Sequence, residues 1–225
     1  MFTLDEVVPW GRSFEEYRKM FGLTEDDLGK RIVGCSDGPA SFNAEATGRG
    51  FNVVSVDPIY EFESAQLRER VFAAYDTILE QTSRNANEFV WSHIRSIDEL
   101  GEIRMAAMIR FLADFARGRE EGRYLAASLP VLPFKEQEFQ LALCSHFLFL
   151  YSSHFDEAFH LQSVLELTRI AREVRIFPLL ALGGTKSPYV DQVAHHLTEK
   201  GFTVTIEDVD YEFQRGGNQM LRIQG

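Results

Sequence analysis

Apolar positions along the chain form short runs separated by longer stretches with helical periodicity. The short runs, rich in β-branched and small apolar side chains, predict strands at 31–33, 51–56, 124–127, 140–144, 174–182, 202–207 and 219–223. Apolar residues three and four positions apart predict helices at 12–21, 41–47, 156–171 and 188–200. Strands that alternate with helices are typical of a mostly parallel sheet with helices on both faces.

The segment 61–122 departs from this alternation. Leu67, Val71 and Ile78 repeat at helical spacing, and a second helical pattern follows a polar break at 83–87. A connection of this length is more than a simple crossover between strands requires. We therefore expect a helical insertion at 61–122, between the second and third strands.

The last two predicted strands are separated only by a short loop that ends in Gly216 and Gly217. Strands joined in this way are antiparallel neighbours. We therefore expect an α/β fold with a mostly parallel seven-stranded sheet, helices on both faces and a C-terminal antiparallel hairpin. We expect one domain over 1–225, with a helical segment at 1–30.

Composition and charge narrow the class of protein. The chain has 225 residues, and its 34 acidic and 23 basic residues give a formal charge of −11. This balance argues against nucleic acid as a partner, because phosphate binding depends on clustered Lys and Arg. No apolar stretch is long enough to span a bilayer, and the first residues lack the features of a signal peptide. With only two cysteines, Cys35 and Cys144, we expect reduced thiols and a cytoplasmic location.

The first strand runs into a turn of small residues, and the second strand ends in an aspartate. Gly34, Ser36, Gly38 and Ala40 lack the bulk that would keep a ligand from the backbone N–H groups of the turn. Asp57 follows Gly38 by nineteen residues, and a carboxylate at that point can accept hydrogen bonds from both hydroxyls of a ribose. The two features predict a binding site for an adenosine-like group. The alternative is a tight turn with Asp57 as a helix cap.

This region resembles the first motif of class I S-adenosylmethionine-dependent methyltransferases, in which an acidic residue and three alternating glycines follow an apolar strand. The resemblance covers about 31–60 and 123–225. In this chain Gly34 stands in the acidic position, Ser36 replaces the first glycine and Gly38 is retained. The residue that contacts the methionine amino group is therefore not the usual one, and the candidates are Asp37, Asp5 and Glu6. A nicotinamide-type fingerprint fits less well, because it needs glycine where Pro39 stands.

The resemblance also extends to the third and fourth strands. Ser128 and Leu129 precede Leu132-Pro133-Phe134, as a polar adenine-binding residue does in the family, and Ser145 and His146 follow the strand whose end faces the methyl group. The resemblance implies that the N-terminal segment covers the cofactor, with Arg12 at the methionine carboxylate and Tyr17 in the pocket. The implied cofactor-binding residues are Gly34, Cys35, Ser36, Asp37, Gly38, Asp57, Pro58, Ser128, Leu129, Ser145 and Arg12.

His146 and Tyr151 are the candidate catalytic residues. His146 comes at the carboxyl end of a central strand, where open α/β sheets bind ligands, and imidazole can act as a base near neutral pH. The alternative for His146 is a hydrogen bond to the cofactor or to a backbone carbonyl without proton transfer. His154 and His160 show no carboxylate pattern typical of a metal site, so no metal is expected.

The resemblance implies S-adenosylmethionine as cofactor and a methyltransferase that acts on a small-molecule or protein acceptor. A non-catalytic protein that binds S-adenosylmethionine or S-adenosylhomocysteine for regulation is the main alternative. A nicotinamide-dependent oxidoreductase is the third. The sequence does not identify the acceptor atom or an oligomeric state.

Overall fold

The computed structural model describes residues 9–225, so Asp5 and Glu6 lie outside the described residues. The strands are β1 (Arg31–Cys35), β2 (Asn52–Val56), β3 (Tyr124–Leu125), β4 (Phe139–Ser145), β5 (Ala171–Phe177), β6 (Thr203–Asp208) and β7 (Gln219–Gln224). The helices are α1 (Phe14–Met20), α2 (Glu25–Leu28), α3 (Phe42–Gly48), α4 (Ser64–Arg84), α5 (Ile97–Glu120), α6 (Glu157–Ile170) and α7 (Val190–Glu199). Two short 3₁₀ turns lie at Pro58–Glu61 and Ala86–Glu88.

The strands form one seven-stranded sheet in the order β3-β2-β1-β4-β5-β7-β6. The first five strands of this order are parallel, whereas β7 pairs antiparallel with both β5 and β6. The predicted fold class is confirmed, including the C-terminal antiparallel hairpin. The strand order reverses between β1 and β4, and ligands bind in α/β sheets at the carboxyl ends of strands beside such a reversal.

Both faces of the sheet are buried under helices. One face packs on α6 and α7 through Val164, Leu167 and Val193, and the other packs on α1 and α3 through Phe14 and Phe42. Sheets that are buried on both faces have nearly continuous apolar strands, as in β4 and β5. The sheet is thus a rigid floor for the loops at its carboxyl edge.

The insertion between β2 and β3 consists of α4 and α5, which pack on each other. Phe111 and Phe115 of α5 form an aromatic cluster with Tyr60 and Tyr124, with ring centroids 5.2–5.8 Å apart. The cluster anchors the insertion beside β3, so that the insertion extends over the carboxyl edge of the sheet. No helix within residues 9–225 is both long and apolar enough to cross a membrane.

Two strand boundaries differ from those predicted. The strand predicted at 174–182 ends at Phe177, because Pro178 has no N–H and the next residues form a loop in which Leu182 donates to the Leu150 carbonyl at 2.9 Å. The strand predicted at 124–127 has only two residues, because its partner β2 ends at Val56, one residue before Asp57-Pro58. Both shortened strands leave loops at the edge where the candidate site lies.

Candidate functional site

A cavity of about 450 Å³ lies at the carboxyl edge of the parallel strands. Its floor is formed by the residues that follow β1, β2, β4 and β5. Its roof is formed by the segment at 9–12, by α4 and α5, and by the loop between β6 and β7. The enclosure and size are typical of a site for a small molecule.

The turn between β1 and α3 forms one wall of the cavity. Ser36 and Gly38 both have positive φ, of 58° and 54°, and at position 38 the residue is glycine, which tolerates this conformation best. The Gly38 N–H donates to Asp57 Oδ2 at 2.8 Å, and the Ser36 N–H donates to the Val56 carbonyl at 2.7 Å. The turn is therefore fixed to the end of β2, and Asp57 is part of that attachment.

Asp37 occupies the space that a side chain at position 34 would need. A Cβ on Gly34 would lie 1.9 Å from Asp37 Oδ2, so any side chain there would collide with the Asp37 carboxyl group. The Asp37 carboxyl group accepts hydrogen bonds from Tyr17 Oη at 2.8 Å and from Ser55 Oγ at 2.6 Å. In the first motif of class I methyltransferases, the acidic residue stands at the position of Gly34. Here a carboxyl group occupies the space over that position, but it belongs to Asp37, three residues later in the chain.

Asp57 closes the other side of the turn. Its Oδ2 accepts the Gly38 N–H, and its Oδ1 accepts the Ile59 N–H at 3.0 Å. These two bonds hold the carboxyl group at the mouth of the turn, where it lines the cavity. Asp57 therefore caps the 3₁₀ turn at Pro58–Glu61, as expected if it were only a helix cap. Its carboxyl group also lines the cavity.

Asp37 and Asp57 are both buried, and among residues 9–225 neither has a cationic partner. Burial raises the pKa of Asp37 to about 7, and the neighbouring Asp57 carboxylate contributes to the shift. Burial also raises the pKa of Asp57 to about 6. Two buried carboxyl groups without a cation are costly unless a ligand supplies positive charge or further donors.

Arg12 faces the same cavity from the N-terminal segment. Its Nη1 donates to the Trp10 carbonyl at 2.7 Å, whereas its buried Nε has no hydrogen-bond partner. The segment is held in place because Gly11 lies directly on Pro39, whose carbonyl oxygen would be 2.1 Å from a Cβ at position 11. The Ser41 N–H also donates to the Arg12 carbonyl at 3.0 Å. The structure thus places a guanidinium with an unsatisfied donor over the β1–α3 turn.

A buried ion pair joins three parts of the roof. Arg104 of α5 bonds to Glu16 of α1, and Tyr211 in the β6–β7 loop donates to the same Glu16 oxygen at 2.9 Å. The guanidinium of Arg104 lowers the pKa of Glu16 against the opposing effect of burial. The ion pair therefore stabilises the arrangement of α1, α5 and the loop around the cavity.

His146 lies at the end of β4, opposite the β1–α3 turn. Its φ is 51°, and its N–H donates to the Phe177 carbonyl at 2.7 Å, so its backbone is fixed to the end of β5. Its Nδ1 lies 2.9 Å from Ser145 Oγ. Burial, reinforced by the charges of Arg12 and Arg104, lowers the pKa of His146 well below its usual value, so the ring is neutral at physiological pH.

The remaining predicted residues are placed as follows. Ser36, Pro58, Ser128, Leu129, Ser145 and Tyr151 line the cavity, together with Arg12, Asp37, Gly38, Asp57 and His146. Gly34 and Cys35 do not line it. Gly34 is covered by Asp37, and Cys35 is buried in the core beside Cys144, its partner in the β1–β4 register. The two cysteines lie in register on neighbouring strands, and both are free thiols.

Several residues of the cavity wall were not singled out from the sequence. Ile59 lies two residues after Asp57, a position that follows from the end of β2. Phe89 and Phe213 come from the insertion and from the β6–β7 loop, and their rings stack with centroids 4.9 Å apart. The bonds from the Val90 N–H to the Phe213 carbonyl (2.7 Å) and from the Arg215 N–H to the Glu88 carbonyl (2.8 Å) join these two segments. No periodic signal in the sequence marks such a pairing.

In the part of the chain that the structure describes, no group of three or more His, Cys, Asp or Glu side chains is arranged to hold a metal ion. The cavity instead has two carboxyl groups, one guanidinium and one neutral imidazole, together with hydroxyl and amide side chains. This donor set fits an organic ligand that carries both a cation and hydroxyl groups.

Comparison with known proteins gives a relative and a set of similar folds. No protein-family profile matches the chain. The chain is 36% identical over 224 residues to the uncharacterized protein MJ0045 of Methanocaldococcus jannaschii, and the alignment covers 99% of this chain and 98% of that protein. This chain and MJ0045 therefore belong to one family.

Among solved structures, the mitomycin 7-O-methyltransferase MmcR is similar with a TM-score of 0.50 at 11% identity, over 94% of this chain and 53% of MmcR. The magnesium protoporphyrin IX methyltransferase of Synechocystis PCC 6803, solved with bound S-adenosylmethionine, gives a TM-score of 0.46 at 10% identity, over 94% of this chain and 90% of that one. The chain has the Rossmann-like fold of class I methyltransferases.

Proposed function

We propose that this member of the MJ0045 family is an S-adenosylmethionine-dependent methyltransferase. The observation that carries the proposal is the pair of buried carboxyl groups, Asp37 and Asp57, which lack a cationic partner within residues 9–225 and face one cavity at the strand-order reversal. S-adenosylmethionine offers an ammonium and two ribose hydroxyls, which are the groups that such carboxyl groups require.

Each end of the cofactor has a matching group. Asp57 accepts hydrogen bonds from the ribose hydroxyls. Asp37 binds the methionine ammonium, in place of the acidic residue that class I methyltransferases usually have in their first motif. Arg12 binds the methionine carboxylate through the guanidinium that has an unsatisfied Nε. Charge-assisted bonds of this kind are the stronger class of hydrogen bond in proteins.

The adenine lies between Ile59 and Leu129, with Ser128 at its polar edge. Ile59 and Leu129 line the cavity from the ends of β2 and β3, beside Asp57. The methyl group then points along the cavity toward His146 and Tyr151, the proposed catalytic residues. Methyl transfer from a sulfonium depends mainly on holding the acceptor atom in line with the methyl group, which an enclosed cavity achieves.

The acceptor is a small molecule, because a cavity of about 450 Å³ must hold the cofactor and the acceptor together. This volume lies in the lower part of the range of roughly 300–1,000 Å³ for small-molecule sites. A regulatory protein that only binds the cofactor would not need the space beyond His146. A cytoplasmic location fits the two buried free thiols and is part of the proposal.

Isothermal titration with S-adenosylmethionine and S-adenosylhomocysteine tests the proposal. Asp57→Asn should weaken binding about 10- to 100-fold, since a lost hydrogen bond to a charged group costs about 1.5–3 kcal/mol. Asp26→Asn, an exposed aspartate on α2, is the matched control and should bind as the wild type does. Absence of binding at millimolar ligand, or equal binding by the Asp57 variant, would exclude this function.

A further inference from the structure

The cavity continues past His146 into a chamber that is apolar on most of its wall. We use "chamber" for the part of the cavity bounded by Ile78, Phe89, Leu100, Leu150, Leu182 and Phe213. These residues come from α4, α5, the segment between them and the three loops that follow β4, β5 and β6. The chamber wall therefore comes from segments other than the polar turn between β1 and α3, although both line one cavity.

The polar groups in the chamber wall are already engaged. Thr82 Oγ1 donates to the Ile78 carbonyl at 2.8 Å, and Gln214 Nε2 donates to the Ala181 carbonyl at 3.3 Å. The Tyr211 hydroxyl is bound to Glu16 and Arg104. Within residues 9–225, no carboxylate without a partner faces this part of the cavity. A cationic molecule would therefore lose its hydration in the chamber without gaining a counter-charge.

The charges nearest the chamber are positive. Arg12 lines the cavity next to His146, and Arg104 is buried behind the roof with its charge shared by Glu16. Burial is the main cause of the lowered pKa of His146, and both guanidinium groups contribute to it. A positive charge is therefore disfavoured at the end of β4, so an ammonium gains nothing by binding there.

A hydrogen bond to Ser145 fixes the orientation of the His146 ring. Ser145 Oγ lies 2.9 Å from His146 Nδ1, so the two side chains share one hydrogen bond. Burial keeps the ring neutral, so only one of its two nitrogens carries a proton. When Nδ1 donates this bond to Ser145, Nε2 is left as an acceptor.

We propose that the acceptor is a small, uncharged, mostly apolar molecule with a hydroxyl group, which binds in the chamber and loses its proton to Nε2 of His146. This inference rests on the proposed methyltransferase function and deepens it. In the reaction the acceptor O–H bond breaks and its proton passes to Nε2. The oxygen forms a new bond to the methyl carbon as the C–S bond breaks. The sulfur keeps that electron pair and becomes the thioether of S-adenosylhomocysteine.

Two probe molecules with the same ring system, one neutral and one cationic, test the acceptor class. With S-adenosylhomocysteine bound, 2-naphthol is titrated and binding is followed by tryptophan fluorescence, since Trp91 packs against Phe213 at 5.4 Å. The cation 2-naphthylmethylammonium is the second probe. We expect 2-naphthol to bind and the cation to bind at least tenfold more weakly.

Variants of the wall localise the binding. Phe213→Ala enlarges the chamber and Leu182→Trp fills it. Each variant should lower the affinity for 2-naphthol at least fivefold, while the affinity for S-adenosylhomocysteine stays unchanged. Phe72→Ala is the matched control, because Phe72 is 42% exposed on α4 and does not line the cavity. It should leave both affinities as they are in the wild type.

The outcomes separate the inference from the function on which it rests. If S-adenosylhomocysteine does not bind, the proposed function fails. If it binds but 2-naphthol does not, or the cation binds equally well, the proposed acceptor class is wrong and the methyltransferase function stands. An equal loss of 2-naphthol binding in Phe72→Ala and Phe213→Ala also overturns the inference, because the probe then does not occupy the chamber.

Discussion

The two ends of the cavity are built in different ways. The end at Asp37 and Asp57 comes from one continuous segment, 31–57, and its carboxyl groups are held by hydrogen bonds to the backbone and to nearby hydroxyls. The chamber end is assembled from segments that are far apart in the chain and meet only in the folded protein. The first end is polar and its two carboxyl groups lack a paired cation within residues 9–225, whereas the second is apolar and the polar groups in its wall are already hydrogen-bonded.

The difference indicates that the two ends bind different kinds of ligand. The polar end fixes a charged ligand at defined atoms, which suits a cofactor that is the same in every turnover. The apolar chamber selects by shape and by the absence of counter-charges, which suits an acceptor that changes from one family to another. The buried Glu16–Arg104–Tyr211 cluster joins the two ends, because it connects α1 beside Asp37 with the roof of the chamber.

The largest effect should come from placing an aspartate at position 34 while Asp37 is still present. Gly34→Asp alone places a Cβ 1.9 Å from Asp37 Oδ2 and a second carboxyl group beside it, so cofactor binding should fall more than 100-fold. Asp37→Gly alone should lower the affinity for the cofactor about 10- to 100-fold, because the charged hydrogen bond is lost. The double variant Gly34→Asp/Asp37→Gly restores the family's usual arrangement and should recover affinity to within about tenfold of the wild type.

Calorimetric titration with S-adenosylhomocysteine measures the three affinities, and thermal unfolding shows which variants fold. The double variant is itself the control, because it contains both substitutions and yet should bind better than either single variant. If the double variant binds no better than Asp37→Gly, then Asp37 does not stand in for the acidic residue of the motif.

A smaller effect should appear in the pH dependence of cofactor binding. The folded, ligand-free protein holds the pKa of Asp37 at about 7 and that of Asp57 at about 6, both above the usual value for aspartate. Asp37 is faced by Tyr17, Ser55 and the Asp57 carboxylate, and no cation within residues 9–225 pairs with it. The methionine ammonium requires the ionised form, so binding should release protons below pH 7.

The affinity for S-adenosylhomocysteine should therefore rise as the pH rises to about 7 and then level off, with a change of roughly 30-fold between pH 5.5 and pH 8. The ligand-free protein should show the opposite trend in stability. A carboxyl group whose pKa is raised on folding favours the folded state at low pH, so the free energy of unfolding should decrease as the pH rises toward 7. Asp37→Asn should flatten both profiles, and an affinity that is constant or falls with pH would contradict this assignment.

The sequence predicts the polar end better than the chamber, for a physical reason. The strand, the turn of small residues and Asp57 are close in the chain, so their arrangement follows from local rules. Even here the sequence leaves several candidates for the acidic residue, Asp37, Asp5 and Glu6 among them, because only the folded structure shows that Asp37 fills the space over Gly34.

The chamber depends on contacts that no local pattern encodes. Arg104 and Glu16 are 88 residues apart, and Tyr211 is 195 residues from Glu16. The β5 boundary was also missed, since the apolar residues 178–182 resemble a strand but form a loop that contributes Leu182 to the wall. Apolar residues in such loops line the cavity and do not pack in the sheet. Their spacing therefore does not indicate a strand.

The smallest effect concerns the hydrogen bond between Ser145 and His146, which lie where the two ends of the cavity meet. Ser145→Ala removes the group that accepts from Nδ1, so the ring of His146 should no longer favour the tautomer with a free Nε2. The ¹⁵N chemical shifts of the ring nitrogens measure this directly in the ligand-free protein. The loss of one hydrogen bond, worth about 0.5–1.5 kcal/mol, should lower kcat roughly 2- to 10-fold with little change in KM.

Ser153→Ala is the matched control, because Ser153 lies beside His154 in the same way, with 3.1 Å between Oγ and Nδ1, but on the exposed surface. It should leave the His146 shifts and kcat unchanged. If Ser145→Ala leaves the His146 tautomer as it is in the wild type, then Ser145 does not orient the ring. A shifted tautomer with an unchanged kcat would instead show that proton transfer to His146 does not limit the reaction.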